Sequence, residues 1–124
     1  MKKTGDRGEQ IAAEYLKSEG YTIFARNWRG TKEIKSPEID IIASKDNTIV
    51  IVEVKTVSTT KFGSPQEWIT LKKRKRLIEG AKAYQAIEQL ADTGFRFDAV
   101  LVDVSASPPS IDHIINAFTL TDTE

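Results

Sequence analysis

The sequence predicts an α/β fold, a mixed β-sheet flanked by helices. Three observations predict it. The run Thr48-Ile49-Val50-Ile51-Val52 is unbroken apolar and short, as a strand buried on both faces must be. Two other segments space their apolar residues at helical intervals. Between them lie short strand-forming stretches set off by polar turns.

The first helix is expected from about Thr4 to Ser18. Ile11, Ala12, Tyr15 and Leu16 fall on one face, and Gly20 is the stop. Tyr21 to Trp28 reads as a strand, because Tyr21, Ile23 and Phe24 favour extended backbone. Gly30 to Pro37 is polar, with glycine, serine and proline, and reads as a loop. Ile39 to Ala43 is a second strand, and Lys45-Asp46-Asn47 a turn. Thr48 to Lys55 is a third strand near the centre of the sheet. Thr56 to Pro65 reads as a polar connection.

A long helix follows, from Pro65 or Thr70 to Leu90, with Leu77, Ile78, Ala81, Tyr84, Ile87 and Leu90 as its buried stripe. Phe97 to Val104 is a fourth strand, and Ser105 to Ser110, with two prolines, a loop. Ile111 to Phe118 is a short edge strand, and Thr119 to Glu124 a frayed tail. Short connections predict a meander of the first three strands. The long helix then crosses over, so the fourth strand should run parallel to a neighbour.

With 124 residues, a single domain (1–124) is expected. No apolar run reaches the roughly 18 residues of a membrane span. No signal core follows Met1-Lys2-Lys3, so a cytoplasmic location is expected. The absence of cysteine excludes disulfides and thiolate chemistry. Lysines plus arginines equal aspartates plus glutamates at 18 each, so bulk charge does not coat this chain onto DNA. A local basic face remains open.

Two acidic motifs carry the chemistry. Glu38-Ile39-Asp40 lies on the second strand and Glu53-Val54-Lys55 at the end of the third. Strand alternation puts Glu38 with Asp40, and Glu53 with Lys55, on shared faces. Phosphodiester hydrolysis needs a hard cation to offset developing charge and a positioned water. Asp40, Glu53 and the Val54 carbonyl suit Mg²⁺ or Mn²⁺, which prefer oxygen ligands. Lys55 is then placed to orient the water or offset transition-state charge. The competing reading is a surface ion pair at a strand end.

Lys72-Lys73-Arg74-Lys75-Arg76 is the other strong feature. Five consecutive cations cannot share one helix face, but they make one helix end positive. The expectation is contact with nucleic-acid phosphates, extended by Arg26, Arg29, Lys32 and Lys35. The plain alternative is a solvated face. Trp28 and Trp68 could stack on bases, although core packing is the commoner role and is expected for Trp28. His113, the one histidine, is read as structural.

Gly8-Glu9-x-x-Ala12, Tyr15-Leu16, Arg26-Asn27-Trp28-Arg29, Glu38-Ile39-Asp40, Val52-Glu53-Val54-Lys55-Thr56, Phe62-Gly63-Ser64-Pro65, Arg96-Phe97-Asp98 and Ile111-x-His113-Ile114-x-Asn116-Ala117-Phe118 together resemble the YraN-type bacterial family. That family is similar in fold to Holliday-junction resolvases and other PD-(D/E)xK, restriction-endonuclease-like nucleases. The resemblance spans nearly the whole chain. It implies a restriction-endonuclease-like core, with Asp40 and Glu53 as metal-binding acids and Lys55 as catalytic lysine. It also implies that Glu9 lies near the metal, and it matches Glu38 to an acid without a defined role. Glu9 has an alternative reading, as an acid favoured by the dipole of a helix's first turns. Three positions depart from the family: Pro37 replaces a glycine, the connection before Glu38 is longer, and Val57 stands where arginine is common.

The expected function is therefore a Mg²⁺- or Mn²⁺-dependent DNA endonuclease, with branched DNA among its implied substrates. A symmetric homodimer is implied as well. The alternative is a nucleic-acid-binding module of the same fold with little or no catalysis.

Overall fold

The computed structural model describes residues 3–58, 65–90 and 94–119. Phe62, Gly63 and Ser64, most of the stretch from Thr56 to Pro65, and most of the tail from Thr119 to Glu124 lie outside them. The elements follow in the order α1 (Lys3–Ser18), β1 (Thr22–Gly30), β2 (Lys35–Lys45), β3 (Thr48–Val57), α2 (Pro65–Trp68), α3 (Leu71–Ile87), β4 (Gly94–Asp103) and β5 (Ser110–Phe118). They form an α/β fold with a five-stranded mixed sheet, compatible with a restriction-endonuclease-like core.

The strand order is β1-β2-β3-β4-β5. The pairs β1–β2, β2–β3 and β4–β5 are antiparallel, and β3–β4 is parallel, as expected of a meander followed by a crossover. β3 is central. Its alternate residues feed two cores: Ile49 and Ile51 pack with Leu77, Ala81 and Tyr84 of α3. Val50 and Val52 pack with Ala12, Ala13 and Leu16 of α1. The unbroken apolar run in the sequence is thus a strand covered on both faces.

Three element boundaries differ from the sequence reading. Half of the stretch 30–37 is strand rather than loop, Gly30 ending β1 and Lys35 beginning β2. Thr31 N–H donates to the Ile34 carbonyl at 2.8 Å, and the Thr31 hydroxyl accepts from Ile34 N–H, so the turn closes in four residues. Pro37 fits within β2 because the β2–β3 ladder begins only at Ile41, leaving one side of Pro37 without a strand partner. β1 continues to Gly30, whose φ of 84° suits only glycine, since its Cβ would stand 2.3 Å from the Ile34 carbonyl oxygen.

α3 ends at Ile87, before Leu90. Gln89 takes φ 54°, Leu90 N–H reaches the Gln85 carbonyl at 2.9 Å, and Gln89 N–H the Ala86 carbonyl. This is a Schellman cap, with Leu90 folded back on the core. Gly20 ends α1 in the same way, with φ 91° and Tyr21 N–H on the Leu16 carbonyl. The long-helix reading also merges α2 with α3. Thr70 separates them as the N-cap of α3, its side chain accepting from Lys73 N–H at 3.2 Å.

Trp68 is core, 8% exposed. Trp28 is half-buried and packs edge-on to Tyr84 at 5.3 Å. No helix among the described residues is long and apolar enough to cross a membrane.

Candidate metal and nucleic-acid site

The site forms where the β2–β3 ladder stops. Cα pairing runs from Lys45↔Thr48 to Ile41↔Val52. One further step of that register would set Asp40 against Glu53. Instead a side chain closes the gap: Val54 N–H donates to Asp40 Oδ2 at 2.8 Å. A strand residue's N–H and C=O point to the same edge, so the Val54 carbonyl faces this gap as well.

Glu38, Asp40, Glu53, Lys73, Arg76 and Leu77 line a cleft of about 140 Å³ between β2, β3 and the first turns of α3. Glu9 enters from α1, on the other side of the sheet, and is 7% exposed. Carboxylate oxygens of Glu9, Glu38 and Asp40 lie within 4.8 Å of one another. Glu53 shares the cleft with Asp40, and its charge opposes ionisation of the Asp40 carboxyl.

Burial pushes the Asp40 carboxyl up to about 8. The neighbouring Glu53 charge adds to this, the Val54 N–H opposes it, and Glu9 adds a smaller push. A cluster that resists ionisation in this way is one that a cation would relieve. The donor set, all oxygen, suits Mg²⁺ or Mn²⁺ rather than softer metals.

Two cations already face the acids. Lys73 Nζ donates to Glu53 Oε2 at 2.8 Å, and Arg29 Nε donates to Glu38 Oε1 at 2.9 Å. Close approach of α3 makes the first contact possible. At Gly80 a Cβ would meet Ile39 Cδ1 at 2.7 Å, so the helix lies tight on β2 beside Asp40.

The structure brings Glu9, Glu38, Asp40 and Glu53 together. It splits the basic run. Lys73 and Arg76, three residues apart, turn to the cleft. Arg74 turns back, donating to the Ile69 carbonyl at 3.1 Å. Lys72 and Lys75 are exposed. Lys55 is half-buried, two residues beyond Glu53 on the same face of β3, and does not line the cleft. Arg26 is exposed on the edge strand β1.

Sequence reasoning missed the ion pair of Lys73 with Glu53, although the spacing of Lys73, Arg76 and Leu77 marks one helix face. It also missed a buried network in the α1-side core. Asp98, 1% exposed, accepts from Arg96 Nε at 2.9 Å and from Asn116 N–H at 3.1 Å, and its Oδ2 lies 2.7 Å from His113 Nε2. His113 Nδ1 meets the Tyr15 hydroxyl at 3.0 Å, and Arg96 donates to the Tyr21 hydroxyl. Burial alone would raise the Asp98 carboxyl, but the bonds from His113, Arg96 and Asn116 hold it below its ordinary value. These contacts tie α1, β1, β4 and β5 together, which accords with a structural role for His113.

A model of the uncharacterised protein family UPF0102 matches residues 8–102, from the residue before Glu9 to β4. The chain belongs to this family. A UPF0102 protein of Flavobacterium johnsoniae is 40% identical over 117 residues, 92% of each chain. One from Clostridioides difficile is 43% identical over 117 residues, covering 94% of this chain and 97% of its own. A Bacteroides thetaiotaomicron relative is 44% identical over 114 residues, covering 92% and 90%. The family assignment accords with the YraN-type motifs, and it spans every acid of the cleft.

Proposed function

We propose that this chain is a divalent-cation-dependent nuclease acting on DNA. One observation carries the reading: four carboxylates from α1, β2 and β3 converge on a cleft whose far wall is the basic start of α3. Acids without a nearby cationic wall would repel a phosphodiester. A cationic wall without the acids would bind it and leave it intact.

Asp40, Glu53, Glu9 and Glu38 are the residues that would hold Mg²⁺ or Mn²⁺, with the Val54 carbonyl at the same gap. When bound, the ion lowers the cost of the charge that builds on phosphorus-bound oxygens and of ionising water. Lys55, one alternation beyond Glu53, holds the attacking water or offsets the charge of the transition state. Arg76 and Lys73 place the phosphate against the acids, and Lys72 and Lys75 extend the contact along the backbone. A two-fold pair of such chains would present two sites to a branched substrate, and the edge strand β5 offers free backbone groups for pairing. Action in the cytoplasm fits this reading.

A second reading is a binding module. Lys73 on Glu53 and Arg29 on Glu38 favour it, because these two acids already have cations. One experiment separates the two. Labelled linear and branched DNAs are incubated with wild type, Asp40→Ala and Lys55→Ala in Mn²⁺, with binding measured on the same substrates. The nuclease reading expects cleavage by wild type alone, with DNA binding kept by both variants. Binding without cleavage on any substrate leaves the module.

A further inference from the structure

The ion pair between Lys73 and Glu53 does more than neutralise a buried acid. Glu53's side chain is 12% exposed and the Lys73 side chain 45% exposed, with 2.8 Å between Nζ and Oε2. The carboxylate is therefore fixed in the cleft while the ammonium sits at its mouth. Thr70 fixes the Lys73 backbone by capping α3. The four-carbon stem remains free to turn, which distinguishes lysine from a rigid guanidinium fork.

Glu53 is held by Lys73, and a divalent cation bound in the cleft would compete for the same carboxylate. Both at once would set like charges a few ångströms apart on one carboxylate. A nucleic-acid phosphate relieves the conflict by giving Lys73 another anion. Arg76, one helical turn on, lines the same cleft and makes no ion pair among the described residues, so the phosphate has a second cation waiting.

We infer that Lys73 is a gate that couples metal to substrate: it occupies Glu53 until a phosphodiester draws it away, so that cation and DNA bind together and each binds poorly alone. This rests on the nuclease reading of the cleft. Its test is arranged to tell the two apart.

Lys73→Met removes the competing charge, and Lys73→Gln keeps a donor for Glu53 without the charge. Lys17→Met, at the exposed end of α1, is the control. Mn²⁺ is titrated calorimetrically into each protein, and into Asp40→Ala, with and without a saturating short duplex whose linkages are non-hydrolysable phosphorothioates. In wild type the duplex should tighten Mn²⁺ binding by about tenfold, within the usual range of coupling between two sites. Without DNA, Lys73→Met and Lys73→Gln should bind Mn²⁺ at least about fivefold more tightly than wild type, and the effect of the duplex should shrink. Lys17→Met should match wild type. If both Lys73 variants bind Mn²⁺ no more tightly than wild type while Asp40→Ala abolishes binding, the metal site stands and the gate is overturned. If Asp40→Ala binds Mn²⁺ as wild type does, the metal site itself falls, and the gate with it.

Discussion

Gly8 of α1 lies against Thr56 of β3 so closely that a Cβ on Gly8 would stand 1.8 Å from Thr56 Oγ1 and 2.8 Å from Thr56 Cβ. The second distance matters more, because a hydroxyl can rotate away and a Cβ cannot. This contact sets the height of α1 over the sheet, and Glu9 is the next residue. Glu9 reaches the acids of β2 because nothing larger than hydrogen separates the helix from β3.

Gly8→Ala should therefore destabilise the protein by about 1–3 kcal/mol, the usual cost of overpacking. Thr56→Gly, which removes Cβ together with Oγ1 and Cγ2, should recover at least half of that loss in a double-mutant cycle. Thermal unfolding of the four proteins reads the coupling. Additive effects would mean that α1 can shift freely and does not fix Glu9.

The Asp40 carboxyl, at about 8 in the folded chain and 3.8 ordinarily, makes stability depend on pH in a defined window. The folded state keeps a proton that the unfolded state has already lost. The contribution is complete below about pH 4 and is lost as pH rises toward 8, at no more than about 1.4 kcal/mol per unit. Asp40→Asn lacks this titration. Its melting temperature relative to wild type should climb between pH 5 and 8.5, and a constant difference would contradict the assignment. A bound cation must displace the same proton, so Mn²⁺ affinity should rise with pH up to about 8.

Lys72 and Lys75 are exposed and lie outside the lining of the cleft. Changing both to glutamine should weaken duplex binding with little dependence on sequence. The slope of log affinity against log salt should fall by about 2, near 0.9 for each phosphate no longer neutralised. Fluorescence anisotropy between low and moderate salt measures it. An unchanged slope would assign these two lysines to solvent.

Asp98 is held ionised by groups from β4 and β5, and its removal leaves Arg96 without its carboxylate. Asp98→Asn should cost about 3 kcal/mol, in the range for breaking one side of a buried pair. The lowered carboxyl also has a pH signature. Its stabilisation is complete above 3.8 and is lost as pH falls below that value. Acid unfolding of Asp98→Asn should accordingly be shallower than that of wild type, as circular dichroism would record.

Much of this was legible in the sequence, for physical reasons. β3 announced itself because its stretch from Ile49 to Val52, covered on both faces, has no polar position. The Glu38–Asp40 and Glu53–Lys55 spacings read directly as shared faces because strand alternation is local. Gly20 marked the end of α1 because only a positive φ closes that cap. What escaped notice was non-local. Gln89 and Leu90 end α3 with residues that look helical, since the cap is held by Gln85 and Ala86 carbonyls and by packing of Leu90. Pro37 looked like a loop residue, and becomes strand only because β3 stops short of it. The partners of Asp98 sit 75 to 98 residues from Tyr21 and Tyr15 across the network, and no local pattern links them.

The sheet carries its strands in the order in which the chain supplies them. Pairing neighbours through short turns costs little chain entropy, whereas joining Thr48 of β3 to Gly94 of β4 closes a loop that contains all of α3. During synthesis from the N-terminus the first three strands can pair while the rest is still unmade. Asp40 and Glu53 thus meet early, as neighbours in a hairpin, and Lys73 joins them only when the crossover docks. Asp40 and Glu53 are brought together before Lys73 arrives, whereas Arg29 of β1 is already beside Glu38. For that interval the face that α3 will cover stands open to water, and hydration stands in for the ion pair that the docked helix later supplies.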